Sequence, residues 1–515
     1  MGQKQQPTAD PISEPKKRRR VGFSNIDDGI EANQCILVYL VSSKEEVGAS
    51  HSFRISPVDL NSFFDEDGKI YGYNGLKITI WVSSISFHAF ADIKFQSTSD
   101  GGKGITDLKS SLQRIFADTL VDNKDDFLQT FSTESHFVRS IISDGEILQH
   151  KTSNGHVDSN SHLGTAASDV EYGLALKAES PYTIIIPEIV AFPRLFLFGI
   201  LYFEEVCLVG RDGSGYCSFL LCQVVRMVIG NTAAGHLYSR LVPLVLLLID
   251  GSNPIDVDDP GWELYVLVQK KSDEQGDGQH KLLGFTAVYR FYHYPDSTRL
   301  RLSQILVLPP YQHKGYGGHL VEVLSNVAIL EDVYDLTVEE PLDYFQHVRT
   351  SVDIKRLLHF APIQEAVNST VSYLKQGKLS KKTHVPCFNP PASAVEDVRK
   401  TLKINRKQFL QCWEVLIYLG LDPVDKYMED FVAIISSRVK ADVLGKDSGS
   451  SGKQVVEVPS DYNPEMSFAM FRSQDSEAAR VWIDENQTNQ EEQLQQLVDE
   501  RVKEIKLIAQ KVHHF

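Results

Sequence analysis

Ser303-Gln304-Ile305-Leu306-Val307-Leu308-Pro309-Pro310-Tyr311-Gln312-His313-Lys314-Gly315-Tyr316-Gly317-Gly318-His319-Leu320 reads as a strand, a turn, a glycine-rich loop and the start of a helix. Ile305 to Leu308 is an apolar, β-rich run. Pro309-Pro310 ends it, because neither proline can donate to a sheet ladder. Gly315, Gly317 and Gly318 let backbone approach a ligand closely. Leu320, Val321, Val323, Leu324, Val327 and Leu330 then recur at helical spacing, which starts a helix near Gly317. Free N–H groups and the positive dipole end of such a helix suit a phosphate.

Downstream, Asp335-Leu336-Thr337-Val338-Glu339-Glu340-Pro341 reads as a second strand ending in paired carboxylates. Upstream, Trp262 to Val268 and Leu283 to Tyr294 read as two strands joined by the polar loop Lys270 to Lys281. With Arg301 to Leu308 they give a β-β-β-α-β order. The glycine run is not the dinucleotide fingerprint, which opens directly after its strand and wants a ribose-binding acid further on.

The pattern Gln-x-x-Gly-x-Gly-Gly resembles the acetyl-CoA pyrophosphate loop of the GCN5-related N-acetyltransferases. Several collinear segments resemble, more specifically, the type B histone acetyltransferase catalytic subunits in a plant-like form. They are Ile70 to Ile78, Ile255-Asp256-Val257-Asp258-Asp259-Pro260-Gly261-Trp262, Tyr292-His293-Tyr294-Pro295-Asp296, Arg301 to Leu308, the glycine loop, and Leu336 to Pro341. The resemblance covers roughly residues 33–440, omitting 187–231. It implies an α+β fold: an acetyltransferase core with a mixed, mostly antiparallel sheet flanked by helices, an N-terminal α/β domain and a helical C-terminal domain. It also implies acetyl-CoA as cosubstrate with no metal, the N-terminal tail of newly made histone H-four as substrate, and a WD-repeat histone-binding subunit as partner. Nucleus and cytoplasm are the expected compartments.

The expected organisation is a tail at 1–28, an N-terminal domain at 29–175, a core at 236–350, a helical domain at 351–441, and a linker with a final helix at 442–515. Within the tail, Pro15-Lys16-Lys17-Arg18-Arg19-Arg20-Val21 matches a nuclear-import signal. Residues 150–170 form a polar loop. Residues 187–231 stand apart. Leu195 to Phe203 is apolar apart from Gly199, and three of the six cysteines follow. Arg194 and Glu204-Glu205 bracket too few residues for a membrane span, which needs about 20. A buried hairpin is one reading; the preferred expectation is an insertion foreign to the fold. The final amphipathic helix, on Leu494, Leu497, Val498, Val502, Ile505 and Ile508, either packs on the helical domain or docks a partner.

Charge and cysteine usage narrow the function. Lys+Arg 52 against Asp+Glu 68 gives −16, the wrong sign for direct nucleic-acid binding and suited to a basic partner such as a lysine-rich tail. No CxxC pair occurs among Cys35, Cys207, Cys217, Cys222, Cys387 and Cys412, and the spacing fits no zinc site.

A lysine ammonium is no nucleophile. With an unperturbed pKa near 10.4, roughly one in 2,500 is neutral at pH 7. A base must act on the amine, directly or through water. Glu339 is the expected base. Glu340 supports it, as does Asp250, which the resemblance aligns with a third family carboxylate that is Glu in other members. Side chains adjacent along a strand point to opposite faces, so the two glutamates share a site only where the strand has ended. No Cys or Ser sits in a motif that asks for an acyl-enzyme, so the amine attacks the thioester directly. The backbone of Ile305, Leu306 and Val307 pairs with the pantetheine arm as an added strand. Gln312, His313, Lys314, Gly315, Tyr316, Gly317 and Gly318 hold the pyrophosphate. By resemblance, Glu66, Asp67, Tyr289, Arg290 and Phe291 meet the histone tail. Two other readings keep the same core: an acetyltransferase for another amine, and a catalytically dead histone carrier.

Overall fold

The computed structural model describes residues 28–64, 67–100, 103–143, 145–148, 210–211, 217–218, 220–230, 232–271, 280–375, 388–421, 425–444 and 487–513. The basic run at 15–21, the loop at 150–170, Glu66 and residues 187–209 lie outside them. By its internal contacts the chain divides into two units. One joins Met1–Glu146 with Arg211–Pro341, and the other joins Ile147–Gly210 with Leu342–Phe515. The stretches expected at 29–175 and 236–350 thus both contribute to the first unit.

In the first unit, β1 (Ile36–Val41), β2 (Phe53–Ile55), β3 (Lys77–Ser83), β4 (Ala89–Lys94) and β5 (Leu120–Val121) form a sheet in the order β2-β1-β3-β4-β5. Alternation places Ile78, Ile80 and Val82 of β3 in the core with Val38 and Leu40 of β1. Three helices also belong to this unit: α1 (Leu108–Phe116), α2 (Lys124–Thr133) and α3 (Phe137–Ile142). Asp107 caps α1 by accepting the Ser110 N–H at 3.2 Å, and Asn123 caps α2 by accepting the Asp126 N–H at 2.8 Å.

The second sheet of this unit carries the site. Its strands β6 (Leu220–Val228), β7 (Trp262–Lys271), β8 (His280–His293), β9 (Ser297–Val307) and β10 (Leu336–Val338) are each hydrogen-bonded to the next. The first four are antiparallel and β10 joins β9 in parallel. Helix α4 (Ala233–Leu248) lies between β6 and β7 in sequence, and α5 (Tyr316–Leu330) between β9 and β10. The β-β-β-α-β order is present, and β6 precedes it in the same sheet. The class is α+β, a mostly antiparallel mixed sheet with helices. Leu241, Leu244 and Leu247 of α4 share one continuous core with residues of both sheets.

That leading strand corrects the expected insertion at 187–231. Residues 220–228 pair with β7 along their whole length, from Leu220 opposite Lys271 to Val228 opposite Glu263. Val224 and Val225 are both buried, and so is Met227. Fully burying each such side chain contributes roughly 1.5–3 kcal/mol. Arg226 makes the correction sharper. Its guanidinium bonds Glu263 at 2.6 Å and Glu331 at 2.5 Å. The end of the block is therefore a sheet strand of this fold.

From Leu342 onward the described part of the second unit is built of helices: α6 (Asp343–Leu358), α7 (Ala361–Lys375), α8 (Ala392–Leu402), α9 (Arg406–Gly420), α10 (Asp425–Leu444) and α11 (Gln487–His513). Its core gathers on Phe409, Cys412, Trp413 and Leu416 of α9, and the Trp413 indole N–H donates to the Phe388 carbonyl at 2.7 Å. The apolar stripe of α11, on Leu494, Val498, Val502, Ile505 and Ile508, is buried within this unit. Arg501 fastens it to Glu414 at 2.6 Å. Packing inside the chain, rather than a docked partner, accounts for that stripe.

Candidate active site

The site begins where β9 and β10 part. They pair only over Leu300–Leu302 and Leu336–Val338, and the Glu339 N–H then donates to the Leu302 carbonyl at 2.9 Å. Past Leu302, among the described residues, no strand covers that edge of β9. A β-bulge falls at the same point. Ala287 stands opposite Gln304 and Val288 opposite Leu302, so Ser303 is the extra residue.

The bulge decides which backbone groups face the open edge. Leu300 and Leu302 direct theirs toward β10, through the bonds of the Leu300 N–H to the Asp335 carbonyl and of the Glu339 N–H to the Leu302 carbonyl. Beyond the bulge, the Leu308 N–H donates to the Leu283 carbonyl on the β8 side. Alternation then turns Ile305 and Val307 to the open edge and Leu306 back to β8. An extended ligand finds the N–H and C=O of Ile305 and the N–H of Val307 there, while the Val307 carbonyl already accepts from the Gln312 side chain.

The glycine loop continues from that edge. Pro309–Tyr311 makes one 3₁₀ turn, and Gln312 donates its side-chain amide to the Val307 carbonyl at 2.9 Å. Gly315 sits at φ +84° as the residue before α5, where no side-chain hydrogen bond caps the helix. A Cβ placed on Gly315 or Gly317 would meet nothing within 4 Å. The glycines therefore leave space beside the first N–H groups of α5, as a diphosphate requires. Gln312, His313, Lys314 and Gly315 are exposed there, and the Lys314 ammonium stands 5.6 Å from the Tyr311 ring centroid.

Both glutamates are exposed at the end of β10. The strand stops at Val338, and Glu340 takes φ +36°, a strained value for a side-chain-bearing residue. Strand alternation thus no longer forces the pair apart. Glu339 accepts a hydrogen bond from the Ser303 hydroxyl at 2.8 Å. Asp250 lies in the exposed turn after α4. That turn is pinned to the same place: the Gln304 side-chain amide donates to the Asn253 carbonyl at 2.7 Å, and the Tyr238 hydroxyl donates to Gln304 at 2.8 Å. The Ile255 N–H completes the set by donating to Tyr238 at 3.1 Å. Ser303, Gln304 and Tyr238 were not singled out from sequence. The only available signal was two polar residues interrupting an apolar strand.

The expected tail-contact residues separate. Tyr289 and Phe291 lie on the sheet face that carries Gln304, because Ala287 pairs with Gln304 and alternate residues share a face. Trp262, Tyr289 and Phe291 form an aromatic patch there, with ring centroids 4.9 Å and 4.5 Å apart. The Tyr289 hydroxyl donates to Asp259, which holds the phenol above its ordinary pKa. Arg290 points to the opposite face and is ion-paired to Glu263 and Glu331. We reassign it from tail contact to this internal network. Burial works to raise the Glu263 pKa, but the guanidiniums of Arg290 and Arg226 prevail and hold it below the ordinary value. Asp67 accepts from the Tyr71 hydroxyl and from Lys103 at 3.2 Å, and the tyrosine bond leads in lowering its pKa. A substrate cation at Asp67 would compete with Lys103. Among the described residues no group of His, Cys, Asp and Glu could hold a metal ion, and no helix is long and apolar enough to cross a membrane.

Comparison with known proteins agrees with this geometry. Residues 29–250 match the family model described as the histone acetyl transferase HAT1 N-terminus, and residues 256–344 match the acetyltransferase (GNAT) family. The chain is 53% identical to the histone acetyltransferase type B catalytic subunit of Arabidopsis thaliana, over 99% of this chain and 98% of the relative. It is 43% identical to the subunit of the same name from Zea mays, over 96% and 93%. Among solved structures, an aminoglycoside acetyltransferase from a soil metagenome matches 23% of this chain and 78% of its own, at 14% identity and a TM-score of 0.18, too slight to carry an argument.

Proposed function

This chain belongs to the histone acetyltransferase type B catalytic subunit family, and from that premise we propose that it moves acetyl from acetyl-CoA to a lysine in the tail of histone H-four within a ternary complex. The enzyme class follows from the family; the cosubstrate, the tail and the single-step route are our reading. One observation carries it. The β9–β10 split leaves the backbone of Ile305 and the N–H of Val307 without a strand partner on one edge, while Glu339 directly follows the strand that defines that split.

In this reading the pantetheine arm bonds Ile305 and Val307, and the pyrophosphate meets the α5 N-terminus. Glu339 takes a proton from the lysine ammonium. The freed amine attacks the thioester carbonyl carbon, a C–N bond forms, the C–S bond breaks, and CoA leaves as a thiolate that takes up the proton the new amide nitrogen gives off. Glu340 and Asp250 add negative charge that favours a cationic tail at the mouth. Tyr289, Phe291 and Trp262 offer the tail an aromatic floor. A WD-repeat histone-binding subunit is the partner this reading expects.

Acetyl-CoA binding separates the enzyme from a histone carrier. Calorimetric titration should show saturable binding to the wild-type chain. Gly317→Glu should weaken it by at least tenfold, because a carboxylate then stands beside the pyrophosphate. A chain that binds histone peptide and ignores acetyl-CoA would be a carrier. Equal affinity in wild type and Gly317→Glu would remove the loop from the cofactor site.

A further inference from the structure

We propose that Ser303 is a positioning residue for the catalytic base: its hydroxyl fixes one oxygen of the Glu339 carboxylate and leaves the other to face the substrate amine. The inference rests on the reading of Glu339 as base and adds the group that aims it. The bond itself runs from the Ser303 Oγ to the Glu339 Oε2 at 2.8 Å.

Three features make this more than a surface contact. Ser303 is the bulged residue of β9, and a bulge re-aims the side chain it carries. Both its neighbours are immobilised. Leu302 is buried and its carbonyl accepts the Glu339 N–H at 2.9 Å. Gln304 is 4% exposed, held by the Tyr238 hydroxyl and by the Asn253 carbonyl. Glu339 is therefore anchored twice to the same bulge, by its backbone through Leu302 and by its carboxylate through Ser303. Without the side-chain bond, an exposed glutamate beyond a strand end samples several rotamers. A base must lie within hydrogen-bond reach of the proton it takes, so lost aim is lost rate.

The hydroxyl has a single proton and gives it to Oε2. That leaves Oε1 with its lone pairs free for the ammonium proton. Serine suits this role because its hydroxyl sits on a single carbon and adds little bulk on the open edge where Ile305 and Val307 must meet an extended ligand.

The test is a double-mutant cycle on Ser303 and Glu339, read as kcat and KM with a histone-tail peptide, with acetyl-CoA affinity and Tm alongside. Ser303→Ala should lower kcat roughly tenfold, the scale of one hydrogen bond to a charged group at an exposed site. Its acetyl-CoA affinity and Tm should match wild type. Ser303→Thr, which keeps the hydroxyl, should recover most of the rate. In the Glu339→Gln background, Ser303→Ala should cost almost nothing further, because the group it aims can no longer take a proton. Should Ser303→Ala fold poorly, Ser303→Cys keeps the shape with a weaker donor and should show the same kcat loss in smaller degree. Wild-type kcat in Ser303→Ala, or a loss that multiplies in full with that of Glu339→Gln, overturns the positioning role while the base assignment stands. Near-normal turnover in Glu339→Gln itself removes both.

Discussion

Glu339→Gln should turn over a histone-tail peptide roughly 10²- to 10⁴-fold more slowly than wild type at neutral pH, the usual contribution of a positioned base. Glutamine keeps the length of the side chain and still accepts from the Ser303 hydroxyl, so the fold and the split between β9 and β10 should survive. Acetyl-CoA affinity should barely change, because that ligand is assigned to the Ile305–Val307 edge and the glycine loop. The deficit should shrink at high pH. With an unperturbed lysine pKa near 10.4, each unit of pH rise toward it raises the neutral amine about tenfold, and the neutral amine needs no base. A variant with wild-type kcat at neutral pH would pass the role to Glu340 or Asp250.

Deleting residues 220–230 should abolish cooperative folding of the first unit. The deletion takes away β6 and bares the edge of β7 along Leu264, Val266 and Val268, all fully buried now. It also removes Arg226 and leaves Glu263, whose side chain is 3% exposed, with only the Arg290 guanidinium and the Tyr265 hydroxyl as partners among the described residues. A point variant reads the same network more gently. Glu263→Ala leaves the two guanidiniums to share Glu331, at a cost of about 1–3 kcal/mol in urea unfolding. A deletion that unfolds with the wild-type midpoint would return this segment to the status of an insertion.

The sequence was most legible where chemistry is local. The glycine loop, the Pro309-Pro310 stop and the Glu339-Glu340 pair each lie within a few residues, and strand–loop–helix order follows from periodicity and turn residues alone. The segment at 220–228 was misread for a physical reason. Its Val224 and Val225 are both buried, so it lacks the alternation that marks a half-buried strand. The aim of Arg290 was hidden because its partners are remote: Glu263 lies on the neighbouring strand and Glu331 at the end of α5. Strand alternation did imply that Tyr289, Arg290 and Phe291 do not all face one side, and the structure separates them in that manner. The Ser303 bulge was not readable at all. It arises from how β8 and β9 register, and only that register turns Ile305 and Val307 to the open edge.

Lysine acetylation is read directly by incubating the full chain with acetyl-CoA and a peptide of the histone H-four N-terminal tail and mapping the product by tandem mass spectrometry. An acetyl group should appear on a lysine side-chain nitrogen of the peptide, formed by wild type and nearly absent with Glu339→Gln. An unmodified peptide, or acetyl found only on the peptide's N-terminal amine, would contradict it.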